Sequence, residues 1–521
     1  MTRPDLPEIQ AMAKRNGFKP SGETSLDTQG LATEPANKRP DPDEKKKAPS
    51  VASQLVTLAE ERYDLAVTPA GRSFAVPCSG PLICRMFRGD RTSLRAQLAR
   101  DFRETTGLVA GAQALADAMT VLEGMAADLT PTELHTRVAR AADGAIWLDV
   151  GDDTGQVIRI DEQGHSLADE PPDNIRFRRT ALTAAMASPR AVGNLDALWE
   201  LINVDEADQP LVLAWMVSTW LADVPTPVLG LVAEQGSGKS TTTRTIVDLV
   251  DPSPVPLRKA PKDPDAWVTA AAGSNVVALD NLSGLSDWLS DSLCRAVTGD
   301  GDVRRKLYTD GDLEVISFRR SLILNGIDLG AVRGDLADRM LPISLAKLDE
   351  ANRADDAELH ALAAAHRPPI LVGLLDLTSQ VMARTATINL EGRKPRMVDF
   401  AKVLAAVDLV LGTDGLNTFL GKQGQMAHEA IEDDPFIAAL VAAGGYFSGT
   451  SKELLQAFTD INSTTPKGWP TQSRAVTTKL KRFAPSLRKA GWSVDDDGGK
   501  NIDHATRWTL VAPTTQSDLV E

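Results

Sequence analysis

Cysteine is scarce in this 521-residue chain: Cys78, Cys84 and Cys294 are the only three, and no two form a Cys-x-x-Cys pair. That excludes a disulfide framework and a cysteine-rich zinc site, and it fits a reducing, cytoplasmic setting. Long apolar runs are also missing. The most apolar stretch, Leu211–Ala222, ends at Asp223, Pro225 and Pro227, well short of the roughly 20 residues that span a bilayer. It reads as a buried helix, and no membrane partner is expected. The first residues carry Arg3, Asp5 and Glu8 and no apolar core, so they do not make a secretory signal. Positive charge is in deficit overall. The formal net charge is −15, so the surface as a whole repels nucleic acid and any contact with it needs a local basic patch. No internal repeat is visible.

The length suggests two to four domains at roughly 100–200 residues each. Residues 1–50 are rich in Pro, Lys, Asp and Glu and read as a disordered tail with one short helix near Leu6–Arg15. Residues 51–190 mix helical patterns (Val51–Tyr63, Leu94–Thr105) with a hairpin pattern, Ala145–Val150 and Gln156–Ile160. Residues 191–347 alternate strands and helices. Residues 348–429 read as an all-helical lid. Residues 430–521 end in a short strand pair, Trp492–Asp495 and Arg507–Val511.

The strongest motif is Ala233-Glu-Gln-Gly-Ser-Gly-Lys-Ser240. An apolar run, Val228–Val232, precedes it, and a helical pattern, Thr241–Val250, follows. Strand, glycine-rich loop and helix form the setting of a phosphate-binding P-loop. Gly236 and Gly238 let the backbone adopt conformations closed to other residues, so that N–H groups of the loop, with Ser237 between them, converge on phosphate oxygens. The helix N-terminus adds partial positive charge there, with Thr241 in its first turn. Lys239 reaches the β- and γ-phosphates, and Ser240 ligates Mg²⁺. ATP and Mg²⁺ are the expected cofactors. Ala233 stands where the motif has Gly.

Val276-Val-Ala-Leu-Asp280-Asn281 reads as a buried parallel strand ending in a carboxylate, placed to hold Mg²⁺. Asn281 occupies the position where many hydrolysing ATPases carry a second acid. Ser321-Leu-Ile-Leu-Asn325 is another apolar strand, and its terminal amide can hold the attacking water or the γ-phosphate. Arg339 precedes a third such strand, Met340–Ile343. It reads either as an arginine finger acting in trans in a ring or as a surface residue in an Asp335–Arg339 ion pair. Asp149, Asp152 and Asp153 resemble metal ligands in type, but their spacing around Gly151 is that of a hairpin turn.

The order of P-loop, Asp280, the basic stretch Thr298–Leu307, Asn325 and Arg339 resembles the ATPase core of superfamily 3 helicases and of phage and plasmid primase-helicases. Phe177-Arg-Arg-Thr180 and Met397-Val-Asp-Phe400 around it resemble actinobacterial ATP-binding proteins of mobile elements. The resemblance covers roughly residues 225–347. It implies an AAA+-type P-loop α/β core in a homo-oligomeric ring, taken as a hexamer. Asp280 would be the Walker B acid, Asn325 the sensor and Arg339 the finger. Arg304, Arg305 and Lys306 would grip single-stranded DNA in the ring channel. A primase or another replication protein is an expected partner.

Residues 467–491 hold seven Lys/Arg and no acid. The pattern predicts a helix from Ser473 through Phe483, a second short helix ending at Gly491, and a strand pair. Together they read as a winged helix with Arg474, Lys479, Lys481 and Arg482 facing duplex phosphates. The bland reading is a solvated helical face beside an acidic domain. The function expected is an ATP-dependent DNA helicase or DNA-remodelling ATPase of a mobile element. The reading from another class is a non-translocating AAA+ switch that acts on protein partners in regulation or defence. Asn281 favours that second reading, and the basic clusters oppose it.

Overall fold

The structure, a computed structural model, describes residues 49–521 except 90, 235, 306–312, 327–333, 348–354, 394, 462–465, 467, 499–505 and 514–521. The expected N-terminal tail and its short helix therefore lie outside the described residues, as does Lys306.

The described chain opens with the helix Val51–Arg62, whose first turn is capped by Ser50 accepting from Ser53 N–H at 3.1 Å. With the helices Leu94–Thr106 and Ala112–Ala127 it packs on a small antiparallel sheet of β1 (Tyr63–Val67), β2 (Ser73–Pro77) and β3 (Arg85–Met86). Leu55, Leu98, Phe102, Leu115 and Leu122 bury one stripe of each helix into a shared cluster. Next, β4 (Leu134–His135) pairs in parallel with β9 (Arg176–Phe177). Between them β5 (Val138–Arg140), β6 (Ile146–Asp149), β7 (Val157–Asp161) and β8 (Gly164–Ala168) form an antiparallel meander. The hairpin read from the sequence is β6–β7, with Ile146 opposite Ile160 and Leu148 opposite Ile158. Its turn is set by short acceptors: Asp149 takes the Gly151 N–H and Asp152 takes the Thr154 N–H.

The centre is a four-stranded, wholly parallel sheet. Its strands are β10 (Val228–Val232), β11 (Val276–Leu279), β14 (Ser321–Asn325) and β15 (Met340–Ser344), in the order β11-β14-β10-β15. Each is largely apolar and buried, with only Val232 and Ser344 at strand ends partly exposed, as expected of strands covered on both faces. An antiparallel hairpin, β12 (Asp300–Arg305) and β13 (Leu313–Phe318), is inserted just before β14. The helix Gln209–Ser218 is buried along its length, as its composition predicts. Trp215 Nε1 donates to Pro227 O at 2.8 Å and fixes this helix to the entry of β10. Helices Asp356–Thr385, Val398–Leu411 and Gly415–Asp433 follow the sheet.

One buried cluster runs from Ile146 of β6, through the parallel sheet, to Phe400, Leu404 and Met426 of these helices. A buried ion pair crosses it. Arg137, 1% exposed, donates from Nε to Asp251 Oδ1 at 2.9 Å and spends its other donors on Asp149 O, Ala184 O and Pro252 O. Gly151 is required beside it. A Cβ there would lie 2.6 Å from both Arg137 Nη1 and Ala184 O, on a backbone with φ +81°.

The C-terminal segment has its own core, built on Phe436, Leu454, Trp469, Leu480, Leu487, Trp508 and Leu510. Its order is helix Pro435–Ala443, β16 (Tyr446–Thr450), helix Ser451–Ile461, helix Ser473–Lys489, then β17 (Ser493–Asp496) and β18 (Arg507–Val511). The three strands form an antiparallel sheet with β18 central. One expectation is corrected here: residues 473–489 form a single helix that runs through Pro485. The proline removes one backbone hydrogen bond. Phe483, Ala484 and Leu487 bury on the same face as Val476 and Leu480, and that shared burial carries the helix past the break.

Candidate functional site

The sequence-named residues of the glycine-rich motif, Asp280 and Asn325 meet at one edge of the parallel sheet. β10 ends at Val232, and the loop then turns through Gly236 and Gly238, whose φ angles are +85° and +75°. Gly238 is the N-cap of the helix Lys239–Val250. Only glycine adopts such angles without cost, so the turn depends on these two positions. Ser237 is buried, and Thr241 lies exposed in the first turn of the helix. Strands in parallel register carry the other groups to the same edge. Leu231 stands beside Asn325 and Leu279 beside Leu324, and Asp280 follows directly.

Ser240 Oγ donates to Asp280 Oδ1 at 3.1 Å. Asn325 Nδ2 donates to the same Oδ1 at 2.6 Å and lies 3.5 Å from Thr243 Oγ1. Asn325 is 2% exposed, so this amide has a fixed set of neighbours. Lys239 Nζ donates to Ala233 O and Glu234 O, both at 2.7 Å. The ammonium thus lies across the mouth of its own loop and uses two of its three donors on carbonyls.

Asn281 has a structural reason for its identity. Its φ is +55°, a left-handed conformation that asparagine tolerates better than most residues. The turn brings Leu282 N–H to Asn325 O at 2.9 Å. Gly326 packs so closely that a Cβ there would sit 3.1 Å from Asn281 Cα.

Two participants escaped sequence reasoning. Thr243 donates to Lys239 O at 2.8 Å and faces Asn325; its place one helical turn after Lys239 was an available signal. Asn203 donates from Nδ2 to Ser237 O at 3.1 Å and braces the glycine-rich loop from outside. Nothing in the sequence marks it.

Arg339 lies elsewhere. β10 and β15 are parallel, with Val228 beside Met340, so Arg339 sits at the edge opposite Lys239. It therefore cannot reach the glycine-rich loop of its own chain. Its Nη1 pairs with Asp335 Oδ2 at 2.5 Å, and its side chain is 13% exposed. Burial pushes the Asp335 carboxyl up, but Arg339 and Arg396 outweigh that and hold it below the usual carboxylate range. Cys294 lies against this group, and burial, aided by Asp335, pushes its thiol up to about 12.

The basic residues separate into distinct places. Arg304 and Arg305 lie on β12, opposite Glu314 and Leu313. Along the helix Ser473–Lys489, Arg474 is exposed near the start. Lys479 is ion-paired with Asp434 inside the C-terminal segment. Lys481 and Arg482 line a cavity of about 240 Å³ that also holds Asp335, Asp338 and Arg396. No group of three or more potential His, Cys, Asp or Glu metal ligands occurs among the described residues, and no described helix is long and apolar enough to cross a membrane.

Comparison with known proteins adds a context. Residues 195–427 match the family described as actinomycete integrative conjugative element replication protein, and residues 436–517 match the AICE RepA C-terminal domain. Both stretches are similar to a replication protein of such elements. No curated protein matches. Solved structures of the C-terminal region (305–718) of NrS-1 are similar at 12% identity. One apo structure covers 89% of this chain and 100% of that chain with a TM-score of 0.36. An A-form apo structure covers 89% and 98% with a TM-score of 0.35.

Proposed function

Starting from the similarity to a replication protein of actinomycete integrative conjugative elements, we propose that this chain is a P-loop ATPase that unwinds or remodels DNA during replication of such an element. The observation that carries the reading is the convergence of Lys239, Ser240, Asp280 and Asn325 at the C-terminal edge of a parallel sheet. Ligands of open α/β sheets bind at that edge.

In this reading the amides from Gly236 to Ser240 and the Lys239 ammonium hold the triphosphate. Lys239 exchanges the carbonyls of Ala233 and Glu234 for phosphate oxygens. Ser240 Oγ and Asp280, 3.1 Å apart, are hard oxygen donors of the kind that suits Mg²⁺, and these two residues would hold the ion. The ion would neutralise charge on the β- and γ-phosphates. Asn325, fixed by Asp280 and Thr243, orients the attacking water. Asn203 and Thr243 keep the loop and the amide in place. Arg339, on the far edge, acts on the nucleotide of a neighbouring subunit and neutralises developing charge there. That role requires Arg339 to leave Asp335.

The C-terminal segment has the element order of a winged helix, with Ser473–Lys489 as the helix that meets duplex DNA. Arg304 and Arg305 meet a single strand through the β12–β13 hairpin. The test is ATP turnover with and without DNA. Wild-type protein should hydrolyse ATP faster with DNA, and Lys239→Ala should lose nucleotide affinity by roughly 10- to 150-fold, the worth of one charge-assisted contact. Among the described residues the Lys239 ammonium bonds only to carbonyls of its own loop, so the variant should fold normally. Unchanged turnover in folded Lys239→Ala would remove the assignment.

A further inference from the structure

The helix Ser473–Lys489 carries much of the local positive charge of an acidic chain, yet part of that charge is already engaged. Lys489 Nζ lies 2.6 Å from Asp338 Oδ1. About two turns earlier, Lys481 and Arg482 line, together with Asp335 and Asp338, the small cavity between the C-terminal segment and the sheet-bearing core. Arg396 joins the same two acids, at 2.7 Å from Asp335 and 3.7 Å from Asp338. Asp335 lies in the short helix Gly334–Ala337 and Asp338 in the turn after it, and the helix Ser473–Lys489 has no carboxylate of its own to answer these cations.

Carboxylates and phosphates offer the same thing to an ammonium or a guanidinium: paired anionic oxygens at hydrogen-bond distance. We propose that Asp335 and Asp338 act as an internal stand-in for a phosphate backbone, occupying the C-terminal half of the helix until duplex DNA displaces them. This rests on the reading that this helix binds DNA. The pair is within reach of solvent, with Lys489 36% and Asp338 17% exposed. It is therefore weak and screened by salt, and a polyanion can compete it away. An intramolecular competitor lowers apparent affinity in proportion to the fraction of time the face is closed. Duplexes that make few phosphate contacts are rejected, and those that make many are kept. Asp335 is also the ion-pair partner of Arg339, so an arriving duplex changes the charge around that arginine.

The test uses the full chain, a fluorescently labelled duplex of about 20 base pairs and anisotropy at roughly 50 mM salt. Asp338→Asn keeps the shape and removes the competing charge. Its dissociation constant should fall roughly 3- to 10-fold below wild type, and the difference should shrink at about 200 mM salt as screening opens the wild-type pair. If Asp338→Asn does not fold, Asp338→Ser asks the same question. Equal or weaker binding by a folded variant would overturn the stand-in while leaving DNA binding by the chain intact. Absence of binding by wild type and variant alike would overturn both the stand-in and the DNA reading beneath it.

Discussion

Asn325 donates its side-chain N–H to Asp280 Oδ1 at 2.6 Å, tying the end of β14 to the residue that follows β11. The two strands are paired along their length, so this bond sets where the carboxylate stands relative to Ser240. Removing the amide should therefore disturb catalysis more than folding. Asn325→Ala is expected to lower ATP turnover on the order of 10²- to 10³-fold, the cost of losing one well-placed donor, with nucleotide affinity little changed. Steady-state kinetics with a separate nucleotide titration checks the split. Equal losses in affinity and turnover would instead place Asn325 in binding.

Arg339→Ala should bind nucleotide normally and lose roughly 10³-fold or more in turnover, as expected for a residue acting on a neighbour's triphosphate. Mixing it with Lys239→Ala subunits is the direct check. Interfaces that combine an intact Arg339 with an intact Lys239 should restore part of the activity. No recovery across a range of ratios would speak against action between subunits.

Arg137 and Asp251 are 1% and 6% exposed as side chains. Removing one partner leaves the other charge buried, which costs about 3–5 kcal/mol. Arg137→Ala should lower stability by that amount in urea unfolding. The pair Arg88–Glu123 has a similar contact distance of 2.7 Å, but its arginine is 78% exposed. Arg88→Ala should cost about 1 kcal/mol or less. Similar losses for the two variants would show that the buried pair is not the joint it resembles.

Thiol reactivity should divide the three cysteines. Cys78 is exposed, while Cys84 and Cys294 are buried. Burial pushes Cys84 up to about 11 and Cys294 up to about 12. Thiolate is the reactive form, so a maleimide at about pH 8 should modify Cys78 first. Mass spectrometry of the labelled, folded chain should find Cys84 and Cys294 unmodified until denaturant is added.

The parallel strands could be read from the chain because each is an unbroken apolar run with a polar residue at its end. Burial on both faces leaves that signature in a handful of consecutive letters. The groups at the strand ends, Asp280 and Asn325, were legible for the same reason. What stayed hidden depends on partners far away in sequence. Asn203 meets Ser237 across 34 positions, Arg137 meets Asp251 across 114, and Lys489 meets Asp338 across 151. None of these is announced by spacing, since only the folded topology brings them together. The helix through Pro485 departs from the sequence expectation for a related reason. A local rule about proline was outweighed by the burial of Phe483, Ala484 and Leu487 on neighbours that the rule does not see.

The joint at Arg137 separates two ideas of what a module is. The stretch that matches the replication-protein family begins at residue 195, yet the helix that follows the glycine-rich loop ends at Asp251, whose counter-charge is supplied from before that boundary. Ile146, Leu148 and Ile158 from the same earlier stretch lie in the core that surrounds the sheet. The stretch that matches the family is thus shorter than the unit whose core it shares. A gene fragment cut at the family boundary would encode the candidate site in full and still lack the counter-charge of Asp251 and part of the core around the sheet. Grafting the site into another chain would have to carry the preceding meander along with it.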